Sequence, residues 1–237
     1  MSCLVEKVRD PRLLERVALE LCTDVEAQLQ NRQAPELSER AARAELVACI
    51  LGSQVSNASA GAWTRALADE GLLDDYWWTI GASAAFSRRV LNVLSGTRAS
   101  ARRLGRHRFF RVRAMQIAAS RDVLVDTPLL NRLKYRDPWQ CRRELVSDLP
   151  GLGPKQASML LRNLQFTLDL AILDRHIVRY MALLGLLSTG LVRVSPLTAY
   201  EATEGSFVEY ATTNGVKPGI LDWAVWITMK AASERQT

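Results

Sequence analysis

The chain has 237 residues, 48% of them apolar, with 31 Lys and Arg against 25 Asp and Glu and a net charge of +6. Enough apolar side chains are present for a full core, in one large domain or in two lobes, and Gly and Pro are too few for disorder. The positive balance favours an anionic partner. Cys3, Cys22, Cys49 and Cys141 are scattered with no C-x-x-C pair. This argues against a zinc site or a four-thiolate iron–sulfur cluster, and for reduced thiols in a cytosolic protein. Charges at Glu6, Lys7, Arg9 and Asp10 leave no room for a signal peptide, and apolar runs such as 181–187 are too short to span a bilayer.

In chain order, residues 11–30 carry apolar side chains at helical spacing, from Leu13 and Leu14 to Leu29. Pro35 breaks the chain, and Ser38 offers an N-cap for a helix running to about Gly52. Ser53 to Asn57 is a polar knuckle before the next helix; Gln54 there is either a probe of DNA or a side chain satisfying loop backbone. Tyr76, Trp77 and Trp78 read as inter-helix packing, and residues 84–97 as a helix closed by Gly96. The most basic stretch, 98–113, holds Arg102, Arg103, Arg106, His107, Arg108, Arg111 and Arg113 around Phe109 and Phe110, and reads as helix continuing through Met115 and Ile117. It is either a phosphate-contacting face, with Arg108 and Arg111 as contacts, or a solvated one. Residues 177–187 are apolar nearly all round, which predicts a central helix; Ser195-Pro196 and Pro218 open the last two. No convincing period-2 segment occurs. The fold class is all-α.

The segment Leu149-Pro150-Gly151-Leu152-Gly153-Pro154-Lys155 joins a helix started by Asp137-Pro138 to another over 155–164. Gly151 and Gly153 permit a tight turn whose N–H groups face an anion at a helix start, the property of a hairpin that grips DNA backbone. An ordinary helical corner with a C-cap glycine has the same letters. A nucleotide P-loop is excluded by the spacing before Lys155 and the lack of a following Ser or Thr. In a closed cleft, desolvation would favour a neutral Lys155, a nucleophile able to form a Schiff base with a sugar carbon. Asp174, at the start of the next helix, serves as an N-cap or stabilises positive charge growing on a sugar. Together these are the means to cut an N-glycosidic bond in a nucleotide pulled from the stack. On the last helix Asp222, Trp226 and Lys230 share one face, either beside an expelled base or within the core.

The hairpin, Ala157-Ser158, Leu161-Arg162-Asn163, and Ala171 through Ile177 resemble the helix-hairpin-helix DNA glycosylase/AP lyase superfamily. They are most similar to its archaeal-type 8-oxoguanine branch, as are residues 107–114 and 50–54. The resemblance implies a two-lobed fold with a DNA cleft between lobes: a hairpin lobe of about 100–187, and another of 1–99 with 188–237. It implies base excision repair by a bifunctional enzyme that removes an oxidised purine and then cuts the strand by β-elimination. Lys155 is the nucleophile in that reading, Asp174 the catalytic carboxylate and His176 a phosphate contact. Carbonyls of Ser147, Leu149 and Leu152 would hold Na+ or K+, with no redox cofactor. Asp222 and Trp226 would hold the base with a chain-ending lysine, whose place Lys230 or Arg235 would take here. The expected partner is double-stranded DNA carrying a damaged base, met by a monomer in the cytoplasm or nucleoid. A monofunctional glycosylase and a non-catalytic DNA-binding module are the alternatives.

Overall fold

The computed structural model describes residues 10–31, 37–134, 136–187 and 196–234, and every regular element among them is helical. Helices α1 (Pro11–Asn31), α2 (Glu39–Leu51), α3 (Asn57–Asp69), α4 (Asp75–Thr79) and α5 (Ser83–Leu94) precede a 3-10 turn at Ala99–Leu104. After it come α6 (Phe110–Leu124), α7 (Leu129–Leu133), α8 (Pro138–Asp148), α9 (Pro154–Asn163), α10 (Arg175–Leu183), α11 (Leu197–Thr213) and α12 (Pro218–Glu234). Local chemistry sets many of the starts. Ser38 accepts from Ala41 N–H at 3.2 Å and Ser56 from Ser59 N–H at 3.2 Å. Asp137 accepts from Gln140 N–H at 2.8 Å, with Pro138 in the first turn where a missing N–H costs nothing. A side chain from far off does the same for α7: Glu39 accepts from Leu129 and Leu130 N–H at 3.1 and 2.8 Å.

The helices gather into two compact units, one of residues 35–164 and one of residues 1–34 with 165–237. In the first, α2 is the central element. Its Leu46, Val47, Ile50 and Leu51 are wholly buried, and it packs against α3, α6, α7 and α9. Side chains of this kind contribute about 1.5–3 kcal/mol each on full burial. In the second unit α1 lies along α12: Leu14, Ala18, Cys22 and Val25 form one stripe, facing Ile220, Leu221, Ala224, Val225 and Met229 in a shared core.

Three expectations differ from the structure. The division falls at 34/35 and 164/165 rather than near 100 and 187, because α3 and α5 share the core of α6 and the hairpin, whereas the chain beyond Leu164 packs with α1 and α12. The basic stretch is not one helix: the 3-10 turn ends at Gly105, which takes φ +75°, and α6 begins only at Phe110. Nor is the expected central helix apolar all round. α10 ends at Leu183 and buries Ile177, Tyr180 and Met181, with Arg175 and Arg179 exposed on the other side. Of the Ser195-Pro196 start, Pro196 stands before α11, and Ser195 lies outside the described residues.

Gly96 (φ +79°) closes α5 against the chain of Gly105; a Cβ there would lie 1.8 Å from the Gly105 carbonyl oxygen. Gly205, inside α11, meets nothing within 4 Å. Gly96→Ala should therefore cost about 2–5 kcal/mol, whereas Gly205→Ala should gain about 0.5–1 kcal/mol. Urea midpoints of the two variants, moving in opposite directions, check this.

Candidate active site

Within residues 35–164 the hairpin is built on two braced helices. Arg142 of α8, wholly buried, donates from Nη1 to Ser158 Oγ of α9 at 3.2 Å and stacks over Trp139 with Cζ 4.8 Å from the ring centre. Leu149 and Leu152 are buried and anchor the turn, which closes through Leu152 N–H to the Leu149 carbonyl at 3.2 Å. Only Gly151 uses a conformation reserved for glycine, at φ +87°. Gly153 is extended (φ −81°, ψ 174°) and serves as the N-cap of α9, so the need for glycine expected at both positions holds for the first. The reason at Gly151 is also steric: a Cβ there would sit 2.6 Å from the Gln116 amide.

Lys155 is the second residue of α9 and half-buried. Ahead of it Pro154 has no N–H to offer, and the N–H groups of Lys155 and Gln156 precede the first intrahelical bond, Ala157 N–H to the Gly153 carbonyl at 2.9 Å. Cys49, on the face of α2 that packs against α9, is wholly buried, and burial and Glu45 push its thiol well up while Arg162 and Lys155 pull the other way. Cys49 is therefore held as the neutral, unreactive thiol. Glu45 Oε1 accepts from Asn163 Nδ2 at 2.7 Å, tying the far end of α9 to α2.

Gln54 is exposed and holds a left-handed backbone (φ 64°), uncommon for a non-glycine residue. Its knuckle is held from α6, where Arg113, only 8% exposed, donates to the Ser53 carbonyl at 3.4 Å and to Gln116 Oε1 at 2.7 Å. Gln116 is the same side chain that packs on Gly151, so one pair of residues links knuckle and hairpin. Arg113 thus leaves the basic face to which it was assigned. Arg108 and Arg111 remain on it: both are exposed, with Cζ 5.0 Å from the Phe109 ring centre and 5.5 Å from that of Phe110. His107 is buried and accepts Phe109 N–H at Nδ1. Burial, helped by the Arg113 charge, holds its pKa below the ordinary 6.5, in part offset by the nearby Leu51 backbone.

In the other unit, Asp174 caps α10. Its Oδ1 accepts from His176 N–H at 2.7 Å and Ile177 N–H at 3.0 Å, whereas Oδ2 takes no hydrogen bond from the described residues. The His176 ring is half-buried and accepts from Arg175 Nε at 3.3 Å. Leading to Asp174, the chain from Leu170 to Leu173 is buried and non-helical, and three side chains take its N–H groups. Glu204 accepts from Ala171 at 2.8 Å, Asp222 Oδ2 from Ile172 at 2.6 Å and Tyr200 Oη from Leu173 at 3.0 Å. Asp222 is only 2% exposed, so its carboxylate holds backbone here rather than lining an open surface. Trp226, one turn on, is half-buried against the core, with Lys230 Nζ 4.8 Å from its ring centre. Arg235 lies outside the described residues. Sequence reading missed Arg113 with Gln116 and Tyr200 with Glu204. The second pair left a signal: Tyr200, Glu204, Phe207 and Ala211 form one buried stripe, on which a glutamate is out of place unless something needs its oxygens.

Ser147 is exposed in the last turn of α8, where carbonyls lack intrahelical donors, and the Leu149 and Leu152 backbones form the turn itself. Backbone oxygens of this kind suit a hard monovalent ion. Among the described residues no group of His, Cys, Asp and Glu could hold a metal, and no helix is long and apolar enough to cross a membrane.

The family described as 8-oxoguanine DNA glycosylase matches residues 89–216. The chain belongs to this family. The matched span contains the hairpin, Lys155, Asp174, His176, Arg108 and Arg111; it leaves out Gln54 and the helix of Asp222, Trp226 and Lys230. The 8-oxoguanine DNA glycosylase/AP lyase of Metallosphaera sedula is 34% identical over 222 residues, 92% of this chain and 93% of that protein. That of Thermoplasma volcanium is 32% identical over 121 residues, so the match spans 51% of this chain and just over half, 56%, of that relative's length. The crystal structure of the 8-oxoguanine DNA glycosylase of Thermotoga maritima covers 94% of this chain at a TM-score of 0.65 and 27% identity, with 95% of its own chain matched. That of Methanocaldococcus jannaschii, at a TM-score of 0.67 and 22% identity over 91% of this chain and 92% of its own, shares the fold. The all-α helix-hairpin-helix fold expected from the sequence is the fold of this chain.

Gly151→Ala should cost about 2–4 kcal/mol, from its left-handed backbone and the displaced Gln116, and should weaken DNA binding more than Gly153→Ala does in a filter-binding titration. His107 makes stability depend on pH. Its folded-state pKa is depressed, so the unfolded chain takes up a proton first, and stability is lost as pH falls below the ordinary 6.5. Replacing His107 with Gln should flatten that part of the unfolding free-energy profile between pH 7 and 5.

Proposed function

We propose that this protein is a bifunctional DNA glycosylase with AP lyase activity that removes 8-oxoguanine from double-stranded DNA. The observation that carries the reading is Lys155 at the first turn of α9, directly after the tight turn at Gly151 and inside the span matched by the family. Free N–H groups at that helix start hold a DNA phosphate without reading sequence. Lys155 Nζ attacks C1′ of the sugar as the bond to the base breaks; the C1′–O4′ bond then opens, O4′ taking up a proton to become a hydroxyl as the C1′=N bond forms. The resulting Schiff base acidifies the C2′ proton, whose removal expels the 3′ phosphate, and hydrolysis returns the amine. Asp174 stabilises the positive charge that develops on the sugar through Oδ2, Oδ1 being spent on the helix cap.

The remaining assignments follow the same reading. Gln54, on its strained knuckle, enters the duplex where the nucleotide has left, and His176, Arg108 and Arg111 contact phosphates. Trp226 stacks on the expelled base with Lys230 beside it, an interaction worth about 1–3 kcal/mol. 8-Oxoguanine carries an N7 proton that guanine lacks, and a site that uses it rejects the ordinary base. Carbonyls of Ser147, Leu149 and Leu152 would hold Na+ or K+, which supplies positive charge to the bound phosphate. The enzyme works as a monomer, without a redox cofactor, in the compartment that holds the DNA.

Borohydride added during turnover of an 8-oxoguanine duplex should trap a covalent protein–DNA adduct, since it reduces an imine to a stable amine. Lys155→Gln should abolish the adduct while DNA affinity stays; an undiminished adduct would assign the nucleophile to another amine. Asp174→Asn, which keeps a capping oxygen, should slow base excision on the order of 10²-fold or more. Early melting with normal excision would reduce Asp174 to a cap.

A further inference from the structure

The segment Leu170–Leu173 poses a problem that helices do not. It is buried, with relative exposures of 2%, 0%, 7% and 2%, and non-helical, and the described residues contain no strand with which to pair it. Each N–H left without a partner would carry the full penalty of a buried, unsatisfied donor. The three consecutive donors are met one by one. Glu204 and Tyr200, a turn apart on α11, take Ala171 and Leu173, and Asp222 from α12 takes Ile172 between them. Tyr200 closes the set by donating its hydroxyl proton to the Ala171 carbonyl at 2.8 Å. Immediately beyond, Asp174 N–H bonds the Ile172 carbonyl at 2.9 Å, and the Asp174 side chain caps α10.

We propose that Tyr200, Glu204 and Asp222 are positioning residues: a three-rung side-chain ladder that fixes the register of this segment and so the place of the Asp174 carboxylate. The inference rests on the reading of Asp174 as the catalytic carboxylate. Two anchors flank the segment, the Leu168 carbonyl bonded by Gly219 N–H at 2.8 Å and the Asp174 cap of α10, but its own side chains set no register. Leu170, Ala171, Ile172 and Leu173 are all apolar, and an apolar run slides against a core with little change in contact chemistry. The three acceptors stand at fixed places on α11 and α12, so a slip takes each N–H away from its present acceptor. The last rung bonds the residue before Asp174, so freedom regained there passes to the carboxylate within one residue. Misplacement of a catalytic group by about 1 Å is enough to cost up to 10²-fold in rate. The ladder also gives Asp222 a task that does not require it to touch the base.

Tyr200→Phe is the sharpest test, because it deletes the hydroxyl that makes two of the bonds and keeps the ring. Three quantities would be measured well below the melting temperature: single-turnover excision from an 8-oxoguanine duplex, affinity for an abasic-site duplex, and amide exchange at Leu173. The ladder requires excision to fall about tenfold or more while affinity changes by less than about twofold, with faster exchange at Leu173. A merely structural role would lower rate and affinity together, in proportion to the unfolded fraction. Asp222→Asn keeps an acceptor oxygen and should lose less excision than Asp222→Ala; the reverse order overturns the positioning role of Asp222. Wild-type excision by folded Tyr200→Phe, while Asp174→Asn is inactive, overturns the ladder alone. Normal excision by Asp174→Asn overturns instead the reading on which it rests.

Discussion

Backbone groups left over at helix ends are the constraint on which this structure turns. A chain built of helices must leave its first N–H groups and last carbonyls without partners inside the helix, and the positions to which we assign a chemical task sit at those ends. Lys155 stands where α9 has donors to spare, behind a proline that removes one of them. Asp174 satisfies two donors of α10 with one oxygen and leaves the other outside the cap. Gln54 projects just past the end of α2, on a backbone that few side chains accept. Each is thus a place where the fold has to find a hydrogen-bond partner for backbone groups or leave them open.

The positive charge of the chain divides into two populations with different work. Arg108 and Arg111 are exposed on the face of α6 and its approach, stacked on Phe109 and Phe110. Arg43, Arg113, Arg121 and Arg142 lie inside. Arg121 donates to the Trp77 and Gly81 carbonyls, Arg43 to Asp75 and the Leu73 carbonyl, and Arg142 cross-links the two hairpin helices. A guanidinium suits this use because its planar fork meets several carbonyls and an aromatic face at once. Net charge therefore overstates the cationic surface, and the interior arginines act on DNA only through the loops they hold.

Around both chemical groups the supports are drawn from distant parts of the chain. Arg113 and Gln116 join the Gln54 knuckle to Gly151, and Tyr200, Glu204 and Asp222 carry the approach to Asp174. These residues touch neither base nor sugar in the proposed reaction. Their substitution would loosen geometry and leave the chemistry in place, so rates and affinities should separate.

Much of this was legible in the sequence because it is decided within a few residues. Apolar spacing marks α1 and α2, Ser38 and Asp137 mark helix starts, and the Gly-x-Gly-Pro-Lys run marks the hairpin with its amine. The Asp174 cap is equally local. What local pattern does not carry is which distant residues meet. Arg113 reads like its basic neighbours, yet the turn at Gly105 resets the helix and rotates it inward. Asp222 shares a face with Trp226 and Lys230, but packing against the connector rather than helical phase determines that its oxygen holds Ile172. Glu204 becomes intelligible only once Ala171, thirty-three residues earlier, is beside it with an N–H to satisfy. Helices and their ends follow from short-range hydrogen bonding and periodicity. The supports follow from buried donors seeking acceptors across the fold, a condition that exists only after the chain has packed.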